Sequence, residues 1–160
     1  MWNKIKDFFN FNQQSEKIIN RVKTKKEIKI TNNLDTNINY IKNNLAQSID
    51  LNYKNIFLGG NQNYKASLIY FTSIINSQYL QEEILKPLML NIKFTDNKAI
   101  KNQIKQLVQQ LPTPISQTEF ISSLDKSIEA ILEGKVVLFI DQFNQGFVLD
   151  IKEQASRDVS

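Results

Sequence analysis

Residues 65–75 read KASLIYFTSII, and from Ala66 to Phe71 only Ser67 is polar. A strand covered on one face alternates apolar and polar side chains, whereas a strand covered on both reads as a nearly continuous apolar run. This stretch therefore predicts a central strand with helices on each side of its sheet. Upstream, YKNIFLGG (53–60) reads as a strand that stops at Gly59-Gly60, and the polar NQNY supplies the turn of a hairpin. Near the end of the chain KVVLFID (135–141), QFNQ and GFVLDI (146–151) repeat the arrangement.

Helical spacing fills the space between the hairpins and before the first. Leu34, Ile38, Ile41 and Leu45 predict a helix over Asp35–Gln47, with Thr31 or Asn33 as its cap. Tyr79, Leu80, Ile84 and Leu85 form the stripe of a second, capped by Asn76 or Ser77 and expected to end at Pro87. Ile100, Ile104, Leu107 and Leu111 mark a third, stopped by Pro112 and Pro114. A fourth is expected to open at Ser116 or Thr118 and to turn Phe120, Leu124, Ile128, Ile131 and Leu132 inward. Gly134 would close it in a left-handed cap. The expected fold class is α/β: a small four-stranded mixed sheet flanked by helices on both faces, with a basic N-terminal helical arm.

The 160 residues suit one domain, and a hydrophobic fraction of 41% is enough for a real core. The chain has no Cys and no His. That excludes disulfides, thiolate zinc sites, cysteine nucleophiles and a Ser-His-Asp triad. Its 4 Gly form neither a dinucleotide fingerprint nor a Walker loop. Glu82, Glu83 and Asp96 are too scattered to suggest a paired acid and base. The chain is thus expected to be no enzyme and to carry no cofactor or metal. No stretch approaches the roughly 18 to 20 apolar residues of a membrane span, and the start lacks the apolar region of a signal peptide.

Positive charge is concentrated at one end. Residues 1–30 hold eight Lys and Arg against three Asp and Glu, which leaves the rest near neutral. Trp2, Ile5, Phe8 and Phe9 fall on one helical face beside Lys4 and Lys6, a pattern suited to lying on an anionic membrane. The bland alternative is a terminal helix docked on its own domain. No basic stripe continues onto the body, so a nucleic-acid partner is not expected.

NIFLGG, KASLIYFTSIIN, EEILKPLML and ILEGKVVLFIDQFNQGFVLDIKEQASRD occur in this order from residue 55 to residue 158. Together they resemble the N-terminal soluble domain (first lobe) of the A subunits of spore germinant receptors, the GerA family. LKPLM is the sharpest of these motifs. Thr72, Ser73 and Asn76 stand where that family has acidic and glycine residues, whereas Arg157 matches a family arginine. The resemblance implies a non-enzymatic lobe acting in receptor assembly or signal relay at the cytosolic face of the spore inner membrane. Its partners would be other receptor subunits and a second lobe, and a small nutrient ligand is compatible with it. The alternative is a free-standing small-molecule-binding lobe. On this reading residues 1–30 are the arm, 31–153 the lobe and 154–160 a connector. Contact candidates are Lys86 and Pro87 as a recognition loop or helix stop, Asp141 as a ligand group or turn residue, and Arg157. Tyr70 is expected in the core.

Overall fold

The computed structural model describes residues 2–24, 26–60, 64–90, 100–111 and 118–151. Its centre is a five-stranded sheet of β1 (Leu51–Phe57), β2 (Lys65–Phe71), β3 (Thr118–Ile121), β4 (Val136–Ile140) and β5 (Gly146–Leu149). The strand order is β1-β2-β4-β5-β3, and every neighbouring pair is antiparallel. The helices are α1 (Trp2–Thr24), α2 (Leu34–Asn44), α3 (Ser77–Tyr79), α4 (Lys86–Leu90), α5 (Ile100–Gln109) and α6 (Leu124–Leu132), and a π-helical stretch (Leu80–Leu85) joins α3 to α4.

Both faces of the sheet are sealed. Along β2 the even positions Ala66, Leu68 and Tyr70 join Leu138, Ile140 and Phe147 beneath Leu80, Ile84, Leu85, Leu88 and Val108. The odd positions Ile69 and Phe71 join Val137, Phe139 and Val148 beneath Leu34, Ile38, Ile41, Leu124, Ile128 and Ile131. Every residue from Ala66 to Phe71, and all of β4 and β5, is buried. The apolar runs of these strands thus have the double-sided cover predicted for them.

Two expectations about the sheet are corrected. It has five strands, because Thr118–Ile121 pairs with β5 instead of opening a helix. Phe120 therefore stacks edge-to-face on Phe147 at 5.2 Å rather than turning inward from a helix. Ser123 then caps α6, its hydroxyl accepting from the Lys126 N–H at 3.1 Å. The sheet is also antiparallel, not mixed. β3 and β4 run in the same direction and are joined by α6, but β5 lies between them. This is a split β-α-β unit, in which the two strands sharing a direction never pair with each other.

Pro87 does not end its helix. Proline clashes with the carbonyl four residues back and cannot donate to it. Here the preceding turn is π-helical: the Lys86 N–H reaches back five residues to Gln81 O, and the chain continues as α4 through Pro87 to Leu90. The wider turn shifts the bonding register ahead of the ring, so the helix passes through.

The caps at Asn33, Asn76 and Gly134 follow the sequence. Asn33 and Asn76 accept from Thr36 N–H at 2.9 Å and Tyr79 N–H at 3.0 Å. Gly134 takes φ 86°. Its N–H bonds Ile131 O, and the Lys135 N–H bonds Ala130 O, which is the paired Schellman pattern. An L side chain is strained at this φ, so Gly134→Ala should lower unfolding stability by about 1 kcal/mol. Chemical denaturation with an unchanged m-value would show it.

Candidate functional site

Between α1 and α2 runs an extended strap, residues 28–33, tied down at almost every step. The Ile28 N–H donates to Asp125 Oδ2 at 2.8 Å, and Ile28 O accepts from the Leu124 N–H at 2.8 Å. Lys29 bridges Ser123, and the Ile30 N–H donates to Ser122 O at 2.8 Å. The buried amide of Asn37 holds both main-chain groups of Thr31, each at 2.9 Å. Asn32 O accepts from the Gln142 N–H at 2.8 Å.

Asp125 is the hub. It is buried, and its second oxygen accepts from the Tyr40 hydroxyl at 2.6 Å, so one carboxylate joins strap, α2 and α6. Burial, the hydrogen bond to Asp125 and that residue's charge together push the Tyr40 phenol up to about 12. The sequence offered no local signal for this hub. Its partners lie 85 and 97 residues away, and Asp125 reads there as an ordinary residue of a helix's first turn.

The residues singled out from the sequence do not converge. Lys86 pairs with Glu82 at 2.6 Å on an exposed helical surface, one turn apart. Such a pair contributes a few tenths of a kcal/mol. Pro87 follows it on a helix covering one face of the sheet. Asp141 serves the other face: its Oδ1 accepts from the Leu34 N–H at 3.1 Å and tethers the start of α2. Tyr70 is buried, its hydroxyl accepting from the Asn52 amide at 3.1 Å. Arg157 lies outside the described residues. Trp2, Ile5 and Phe9 belong to α1, with side chains outside the described set. Among the described residues no group of three or more His, Cys, Asp or Glu is placed to hold a metal ion, and no helix is long and apolar enough to cross a membrane.

Two concavities flank β1 and α1. One, of about 490 Å³, opens between α1 and the turns at 47–50 and 72–74. Phe11 and Phe71 form its floor, edge-to-face at 5.2 Å. Gln14 Nε2 donates to Gln47 Oε1 at 3.1 Å, and Ser73 hydrogen-bonds Asp50 through both its N–H and its hydroxyl. Phe8, 66% exposed, and the fully exposed Ile49 stand among its lining residues. The second, of about 530 Å³, lies between α2 and β1.

The Asp125 hub generates a pH-dependent prediction. A phenol with its folded pKa above the ordinary 10 is held protonated by the fold. Its contribution is complete below pH 10 and is lost as pH rises toward 12. Tyr40→Phe should cost about 1 kcal/mol at neutral pH and reduce the loss of stability between pH 10 and 12. Asp125→Ala, which strands both donors, should cost about 2 to 3 kcal/mol. Denaturant titrations across pH check both.

The chain is similar in sequence and in fold to known proteins. Relatives include an uncharacterized membrane protein, YfkQ, of Bacillus subtilis (strain 168), 27% identical over 97 residues, which cover 58% of this chain and 17% of that protein. Spore germination protein GerQA of Bacillus cereus is 28% identical over 116 residues, covering 72% of this chain and 22% of that protein. The chain thus matches about a fifth of the length of these curated relatives. The fold resembles the crystal structure of the N-terminal domain of the A subunit of the Bacillus megaterium spore germinant receptor GerK3. The TM-score is 0.61 at 20% identity, covering 78% of this chain and 48% of that one. The family described as Bacillus/Clostridium GerA spore germination protein matches residues 39–160, well over half of the sequence, and the chain belongs to that family.

Proposed function

We propose that this chain is a non-enzymatic lobe of a nutrient germinant receptor A subunit, working in spore germination through contacts with other receptor subunits. The observation that carries the reading is the coincidence of two matches. The GerA family covers residues 39–160, and the solved receptor domain shares the fold over 78% of the chain. The side chains favour contact over chemistry. The described polar groups at the strap and helix starts are engaged in holding elements together.

The lobe would act at the cytosolic face of the spore inner membrane, with α1 toward the lipid. Phe8 and Ile49 offer two exposed apolar side chains near one another, and Lys4 and Lys6 are exposed on the same helix as Phe8. This combination suits an interfacial helix on anionic lipid.

Expressed with the receptor subunits of its own host, the chain should co-purify with them, and deleting its gene should slow nutrient-triggered germination. Recovery of the chain alone, with germination intact, would overturn the receptor reading. Separately, the chain should float with vesicles of phosphatidylglycerol and phosphatidylethanolamine at low salt. A Phe8→Glu, Ile49→Glu double variant should stay at the bottom of the gradient. Equal flotation of both forms ends the membrane component.

A further inference from the structure

β1 lies at the edge of the sheet, and its outward main chain can be read from its ladder. In an antiparallel pair both main-chain groups of one residue point the same way, and successive residues alternate. The Leu58 N–H donates to Tyr64 O and the Thr72 N–H to Asp50 O, which turns the even positions of β1 toward β2. Tyr53, Asn55 and Phe57 therefore present their main chain to the open edge. The Tyr53 N–H is satisfied by the Asn52 side chain at 2.9 Å. Among the described residues nothing pairs with the N–H groups of Asn55 and Phe57.

The side chains of Tyr53, Asn55 and Phe57 share the sheet face that carries α2, and they line the 530 Å³ concavity with Lys42 and Lys65. Phe57 is 42% exposed, and the Lys42 ammonium lies 4.8 Å from the centre of the Tyr53 ring. Lys54 is exposed on the opposite face of the strand. Of the charged residues lining the concavity two are lysines, Lys42 and Lys65, and one is a carboxylate, Asp35.

We propose that β1 accepts an extended acidic segment of a partner protein as a sixth strand, pairing through Asn55 and Phe57. Strands added at open edges gain affinity from main-chain bonds and specificity from alternate side chains. Here the incoming residues opposite Tyr53, Asn55 and Phe57 meet Lys42 and Lys65. Those opposite Lys54 and Ile56 meet a third ammonium and an aliphatic side chain. A second copy of this chain is the poorer occupant. The only charged residue of β1 is Lys54, so antiparallel self-pairing centred there opposes two like charges. The proposal deepens the assembly reading by naming the surface and the partner's chemistry.

The test uses the full chain with two short peptides, one alternating glutamate and valine and the other lysine and valine, read by amide hydrogen exchange. The acidic peptide should slow exchange at Asn55 and Phe57 by roughly tenfold or more, and leave the ladder-bound Lys54 and Ile56 amides unchanged. The basic peptide should not. Lys42→Glu with Lys65→Glu should weaken the effect about tenfold at low salt. Asn55→Pro removes an outward donor without touching the β1–β2 ladder and should abolish it. If that variant fails to fold, the charge reversal decides alone. No slowing, equal slowing by both peptides, or slowing in the free chain that grows with protein concentration would overturn the proposal. Co-purification of receptor subunits that survives these substitutions would sink this surface and leave the assembly reading standing.

Discussion

The structure depends on three strands that meet no water on either side. β4 and β5 are buried throughout and β2 from Ala66 to Phe71, so each main-chain group there needs a partner within the sheet and each side chain needs an apolar neighbour above or below. Two separate helical layers answer that demand, one built on α2 and α6 and the other on the segment around the π-turn with α5. Neither layer is optional, because removing one exposes alternate residues of every central strand.

Close packing carries the constraint into detail. A Cβ at Gly146 would stand 3.1 Å from Phe139 Cδ1 and 3.2 Å from Ile30 Cδ1, so a side chain at the first residue of β5 would have to displace these neighbours by a few tenths of an ångström. Ile30 belongs to the strap, which links the seating of the N-terminal segment to the layer beneath it. The strap rests on buried polar groups that are satisfied: the Asn37 amide and the Asp125 carboxylate each hold main chain that would otherwise be stranded. Among the described residues Ser67 and the side-chain oxygen of Gln103 are the exceptions. The Ser67 hydroxyl is buried on β2 with no partner among the described residues.

The same construction directs where the domain can meet others. With both faces sealed, its contact-competent features are at the margins: the open edge of β1, the concavities beside it, and the surface of α1.

Much of this was legible in residue order. The double-sided burial of 66–71 and 136–140, a helix through Leu34, Ile38 and Ile41, and the caps at Asn33, Asn76 and Gly134 follow from local pattern, because hydrophobic period and cap chemistry operate within a few residues; the family was legible as a resemblance carried by ordered motifs such as LKPLM. The fifth strand was not legible. Four residues are too few to show a period, and Phe120 sits at a spacing that continues the stripe of the following helix. The passage through Pro87 escaped notice because the π-turn that permits it has no compositional mark. Antiparallel order, the strap and the Asp125 hub were decided only in three dimensions. They depend on where β5 inserts and on which distant carboxylate meets a stranded N–H, and no local pattern encodes partners a hundred residues apart.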